Sequence, residues 1–207
     1  MRESHQCEGS TFGGMKRCIR ADIDRAIAYA SAYSGHHVSL LRRLSFALTP
    51  PVMCVMLHRV AHLAHARGYR RLGHFLARIN QVIHRAAISP TSCVGPGLYM
   101  PHTSGIVLHA ISGANLTLYY RACALPTAPI VPRGTTAPLR GAANHAVPRL
   151  GRDVTLGVFS VVYGAVVLKD RVFVGATMSV VDNLESGVNL FPLSVRSAYG
   201  SRATAHA

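Results

Sequence analysis

The sequence predicts an α+β protein: an N-terminal helical domain followed by a parallel β-helix wound from six-residue repeats. Two observations carry this. Apolar residues recur at helical spacing as far as Arg85, and from Ile88 a period of six replaces that spacing. A third observation concerns the surface. The chain holds 22 basic against 8 acidic residues, and no carboxylate stands between Asp24 and Asp153. The middle of the protein therefore carries a positive field that attracts a polyanion, an anionic membrane surface or a phosphate-bearing ligand.

Residues 1–19 are polar and contain glycine, and are expected to be disordered. The helical domain is expected over 20–87. Arg20 to Ser34 places Ile23, Ile27 and Ala30 on one side, and Gly35 stops it. Ser39 caps a short helix carrying Leu40, Leu41, Leu44 and Leu48. Pro50-Pro51 interrupts the chain, and Pro51 suits the first turn of the next helix. That helix buries Val52, Val55, Met56, Val60 and Leu63 and ends near Gly68. A last helix, from about Tyr69 to Arg85, carries Leu72, Phe75, Leu76, Ile79, Val82 and Ile83.

The β-helix is expected over 88–196. From Leu150 the chain divides as LGRDVT, LGVFSV, VYGAVV, LKDRVF, VGATMS and VVDNLE. The first position is aliphatic in each: Leu150, Leu156, Val162, Leu168, Val174, Val180. The fifth is small or apolar: Val154, Ser160, Val166, Val172, Met178, Leu184. A short fixed period means a solenoid whose repeats bury one face against their neighbours, three hexads to a triangular turn. Earlier hexads start at Ile88, Val94, Met100, Ile106, Ser112 and Leu118, with Ser112 in an otherwise aliphatic column. A loop excursion, rich in Pro, Gly, Thr and Ala, fills about 126–148. Residues 197–207 form a tail.

Cys7, Cys18, Cys54, Cys93 and Cys123 are odd in number and scattered, with no CxxC pair. They predict reduced thiols and a cytoplasmic protein. No signal peptide is visible behind Met1. The longest apolar stretch, Ser45 to Leu57, is too short to span a bilayer, so no integral membrane segment is expected.

The order of parts resembles the serine acetyltransferase family of hexapeptide-repeat acyltransferases, over roughly Leu57 to Arg196. LHRVAHLAHARGYRRLGHFLARIN is similar to that family's last helices. ISPTSCVGPGLYMPHTSGIVLH resembles the start of its coil, and PRLGRDVTLGVFSVVYGAVVLKDRVFVGATMSVV its closing turns. The resemblance implies a left-handed coil. It also implies an O-acetyltransferase drawing on acetyl-CoA as co-substrate, with no metal. The partners it implies are a small-molecule or saccharide acceptor and further copies of the chain, as a homotrimer or a dimer of trimers. It makes His102 the general base. That role suits the chemistry, because a hydroxyl is a weak nucleophile until a base takes its proton, and imidazole titrates near neutrality.

Three positions depart from the family pattern. Ala87 and Pro101 stand where it has carboxylates, and Val147 where it has a second histidine, with His145 two residues earlier as the candidate substitute. His102 must then be oriented by a backbone carbonyl or by Asp153, Asp170 or Asp182. The lost carboxylates weaken an amino acid as acceptor and favour a saccharide hydroxyl. Val158 and Ala176 match turn residues that hold CoA through main-chain groups. Lys169 and Arg196 are candidate partners of its 3′-phosphate.

Other constellations were weighed. His58, His62 and His65 share one helix face at metal-ligand spacing, without a carboxylate to complete a site. Arg67, Arg70, Arg71 and Arg78 make a basic face with no nucleic-acid recognition motif, so no nucleic acid is expected. Two rival functions remain: a degenerate, non-catalytic trimeric scaffold, and a zinc carbonic anhydrase on the same coil using His102, His109 and His145.

Overall fold

In the computed structural model, residues 7–34, 46, 48–126 and 147–192 are described. The expected Ser39 helix, the 127–146 part of the excursion, the tail, His145 and Arg196 lie outside them.

Helix α1 runs Phe12–Ser34, α2 Pro50–Ala66 and α3 Arg70–His84. Helix α1 thus starts eight residues before the expected Arg20, behind a 3₁₀ turn at Glu8–Ser10. Thr11 explains the start, since its Oγ1 accepts from the Gly14 N–H at 3.1 Å. Met15, Cys18, Asp22 and Ile27 form the buried stripe that extends it. Pro50 and Pro51 occupy the first turn of α2, where no donor is lost.

Thirteen short strands follow in three parallel sheets. Sheet I holds β1 (Ala87–Ile88), β3 (Val107–Leu108), β6 (Cys123–Leu125), β9 (Val161–Tyr163) and β12 (Ser179–Val180). Sheet II holds β2 (Cys93–Val94), β4 (Ile111–Ser112), β7 (Arg149–Leu150) and β10 (Val167–Leu168), extended by a bridge from Leu168 to Leu184. Sheet III holds β5 (Thr117–Leu118), β8 (Thr155–Leu156), β11 (Phe173–Val174) and β13 (Asn189–Leu190), with Tyr99 bridged to Thr117. The chain visits sheets I, II and III in turn, tier upon tier, so it winds as a three-sided coil.

Each sheet turns one column inward. In sheet I it is Ile88, Leu108, Ala124, Val162 and Val180, in register. All five are buried, and so are Leu98, Ile106, Leu116, Val154, Ser160 and Val172, each two residues before an inward position. The hexad frame holds with two corrections. Ile106 belongs to the second column and Leu108 to the first. Leu184 stands in the inward column opposite Leu168, not in the corner column. The cause is uneven spacing. Met100 to Leu108 spans eight positions and Leu108 to Ser112 only four, so an insertion and a deletion cancel and the frame is restored at Ser112. Ser112 does stand in that column, buried, and its hydroxyl has no partner among the described residues.

The helices close the first tier. The Asp22 carboxylate of α1 and the Arg59 guanidinium of α2 are both buried and paired at 2.9 and 3.0 Å. Asp22 accepts from the Gly97 and Leu98 N–H groups at 2.8 and 2.7 Å, while Arg59 donates to the Val94 and Gly95 carbonyls. Arg25 donates to the carbonyls of Gly97 and Leu116 and, at 2.8 Å, to Thr117 Oγ1. The groups from Val94 to Gly97 belong to the open first tier, where no earlier tier can pair them, and an unmet buried group is costly.

The expectation that all cysteines stay reduced is corrected. Cys7 and Cys93 are joined in a disulfide, Cα–Cα 5.7 Å, because the turn before α1 lies against β2. Cys18, Cys54 and Cys123 are free thiols. Among the described residues no helix is long and apolar enough to cross a membrane.

Candidate functional site

The chain turns from sheet III to sheet I along one edge of the coil, once per tier. Those corners carry His102 in the first tier, then Tyr120, Val158 and Ala176. The corners stack through main-chain bonds: Arg121 N–H to Ser104 O at 3.3 Å, Phe159 N–H to Tyr120 O at 3.0 Å, Thr177 N–H to Val158 O at 2.8 Å. Gly105, Arg121, Phe159 and Thr177 occupy equivalent left-handed positions, with φ from 56° to 76°. Gly157 and Gly175 precede Val158 and Ala176 at close approaches. A Cβ there would stand 2.7 Å from the Val174 carbonyl oxygen and 2.5 Å from that of Leu190.

The first corner differs from those above it by its two extra residues. They lift His102 out of the wall, and its side chain is exposed. The corner itself is anchored. The Gly105 N–H donates to Arg85 O at 2.8 Å, and a Cβ on Gly105 would come within 2.6 Å of Arg121 Cγ. Among the described residues the His102 ring has no hydrogen-bond partner. Ala87, one of the two positions where the resembled family has a carboxylate, pairs through its backbone with Val107 in sheet I.

Beside this corner lies an apolar cavity of about 280 Å³ between α1, α2 and sheet III, lined by Ala26, Val52, Leu98, Tyr99, Met100 and Pro101 among others. Tyr99, on its wall, stacks on Tyr29 at 4.3 Å, and the Arg25 guanidinium covers Tyr29 at 5.6 Å.

The three carboxylates offered as orienters of His102 do not reach it within one chain. Asp153 and Asp170 stand on the edge between sheets II and III. Asp153 accepts from Asn115 Nδ2 at 2.9 Å, and Asp170 is paired with Arg152 at 2.9 Å. The Arg152 backbone N–H and guanidinium hold the exposed Asp170 carboxyl below its ordinary range. Asp182 stands on the third edge, between sheets I and II. Lys169 also falls on the II–III edge, where its ammonium pairs with Glu185 at 2.5 Å. It flanks a wide groove of about 710 Å³ along sheet II that also presents Arg149 and Arg152. Of the sequence-predicted residues, the fold gathers His102, Val158 and Ala176 on one edge and sets Lys169 on another.

The histidine constellations are dispersed. His109 sits at a I–II corner and meets Thr91 Oγ1 at 3.1 Å, an edge away from His102. His58 is wholly buried, and both its ring nitrogens lack partners. Burial, with Arg59 and His62 beside it, pushes its imidazole well below the ordinary value. The His62 ring, 6.2 Å from that of His58, faces the Pro90 carbonyl at 3.0 Å, whereas His65 turns to His74. Among the described residues no three metal-ligating side chains converge.

Sequence reasoning missed Asp22, Arg25 and Arg59, which fix the first tier beneath the His102 corner. A signal was present. Arg59 interrupts an otherwise apolar helix, and Asp22 is one of only two carboxylates in the helical domain.

No protein-family model matches the chain. It is 28% identical over 142 residues to the serine acetyltransferases of two Helicobacter pylori strains, covering 68% of this chain and 76% of those proteins. Serine acetyltransferase 1 of Entamoeba histolytica, solved with L-cysteine, superposes with a TM-score of 0.72 at 21% identity, over 87% of this chain and 64% of that one. The Neisseria gonorrhoeae serine acetyltransferase gives 0.71 at 19% identity, over 88% and 66%. The chain thus spans about two thirds of the length of these solved structures, which share its fold. In its helical front, its three-sided parallel coil and its 142-residue match, this chain is similar to serine acetyltransferases.

Proposed function

We propose that the protein is an O-acetyltransferase that moves an acetyl group from acetyl-CoA to a hydroxyl of serine or of a saccharide, on a left-handed coil. The observation that carries the reading is the His102 corner: an exposed imidazole, lifted by a two-residue insertion, on the edge that also carries Val158 and Ala176.

The chemistry is direct. His102 takes the proton of the acceptor hydroxyl as its oxygen attacks the thioester carbonyl carbon. The tetrahedral intermediate then expels the CoA sulfur, which takes up the proton from the imidazolium, leaving an ester and a free thiol. Positioning and stabilisation of the oxyanion supply the rest. Val158 and Ala176 present turn main chain toward the donor. The apolar cavity beside Pro101 and its tyrosine wall suit the body of an acceptor better than a bare ammonium and carboxylate, which favours a saccharide.

Lys169 and the His102 edge belong to different sides of the prism. They can serve one site only where two copies meet, which supports a trimer with sites at its boundaries. His145 as a second base and Arg196 as a phosphate partner belong to the same proposal.

A second reading rests on a specific observation. With Ala87, Pro101 and Val147 in place of the family residues, and no carboxylate on its own edge, His102 has no orienting partner among the described residues. A degenerate scaffold would look like this. Thiol release from acetyl-CoA, with L-serine and with a panel of saccharides, separates the two. Acceptor-dependent turnover that falls about a hundredfold to ten-thousandfold in His102→Ala supports the transferase. CoA binding without acceptor-dependent release supports the scaffold.

A further inference from the structure

Helix α3 packs by its least apolar side. The residues it buries are Gly73, Asn80 and His84, and Gly73 lies so close to α2 that a Cβ would stand 2.9 Å from the Ala61 carbonyl. Asn80 Nδ2 donates to the Cys54 carbonyl at 3.0 Å. The groove between α3 and sheet I is lined by its polar side, His74, Arg78 and Gln81. Four of the helix's large apolar side chains are consequently left outward, Leu72 48% exposed, Phe75 61%, Val82 79% and Ile83 65%, while Leu76 and Ile79 are half-buried. Arg71 and Arg78 border this strip, both exposed. At 100° per residue they fall next to Val82 and Phe75 on the helix wheel.

We propose that this face of α3 docks on an anionic lipid bilayer surface. A helix with a clean apolar face, low overall hydrophobicity and arginine along its border lies in the membrane interface, apolar side down. The surrounding sequence strengthens the attraction, since no carboxylate occurs from Arg25 to Arg152. The same charge pattern disfavours a two-fold contact with a second copy, a geometry separate from the three-fold contact proposed for the acetyl-transfer site. In a two-fold contact the patch meets itself, so Arg71 and Arg78 would face arginines. Asp22, Asp170 and Glu185 are already held in ion pairs, leaving few carboxylates to set against them.

The test is flotation of the full chain with phosphatidylcholine vesicles, with and without phosphatidylserine. The chain should float only with the anionic vesicles, and added salt should weaken it. Phe75→Asp should abolish it. Arg71→Gln with Arg78→Gln should lower partitioning roughly fivefold for each arginine removed. These side chains face solvent, so circular dichroism should match the parent. Failure of the parent chain to float, or equal flotation with neutral vesicles, overturns the proposal. So does a parent that ignores vesicles but forms an oligomer that Phe75→Asp dissociates, which would give the face to a second copy. Acetyl transfer is read out separately and stands or falls on its own.

Discussion

At the residue scale, His58 has the sharpest consequence. It is fully buried on α2 with neither ring nitrogen satisfied among the described residues, beside Arg59 and His62. Burial also lowers His62, although the Pro90 carbonyl opposes the shift. Both imidazoles hold protons less readily folded than unfolded. Their contribution is therefore constant above the unfolded value of about 6.5 and is lost as pH falls below it, because the unfolded chain then binds protons that the folded one refuses. Melting temperature should drop on acidification below that value, and His58→Leu should flatten the drop. A parallel pH profile in the variant would show that His58 is not a source of it. From the sequence these histidines showed metal-ligand spacing without a carboxylate to complete a site, and spacing on a helix says which face they share and not what lies opposite. The fold sets them against a guanidinium and a proline carbonyl. Cys7 and Cys93 were illegible for a similar reason: a bond across 86 residues depends on where the first turn docks.

At the scale of elements, the six-residue columns were read almost without loss, because burial in a solenoid repeats at every tier. The misassigned Ile106 and Leu184 arise where corners have eight or four residues instead of six, and a compensated pair of changes leaves no mark on a column count. That same irregularity makes the His102 corner distinctive, and neither the exposure nor the edge of this candidate residue was legible in the sequence. Equivalent corners place Arg121, Phe159 and Thr177 at positive φ without glycine, so the backbone alone does not demand glycine at 105. The Arg121 stem 2.6 Å from a Cβ does. Gly105→Ala should cost about 1–2 kcal/mol, measured by denaturant unfolding, and should lower turnover further by shifting His102. A variant with unchanged stability and unchanged turnover would separate this corner from the chemistry.

At the scale of the molecule, two parts with different periodicities are joined through a few polar groups. The Asp22–Arg59 pair is buried on both sides and holds four backbone groups of the first tier. Removing one member leaves a charge without its partner. Arg59→Met should therefore destabilise the protein by about 3–5 kcal/mol, seen as a lower melting temperature. Asp22→Asn with Arg59→Met should recover part of the loss, because no lone charge remains. The sequence puts the change of period at Ala87–Ile88, and the first strand is Ala87–Ile88. It could not show the joint, because a contact between Asp22 and Arg59 leaves no periodic trace.

That joint also settles how far the coil can extend. A parallel coil presents open backbone at each end, and any chain docking there would create the same opening again, which is how filaments propagate. Arg59, Asp22 and Arg25 occupy the front opening with side chains that accept no further strand. Front-to-back stacking of copies is thereby stopped at its first step, and the helices act as a terminator as much as a domain.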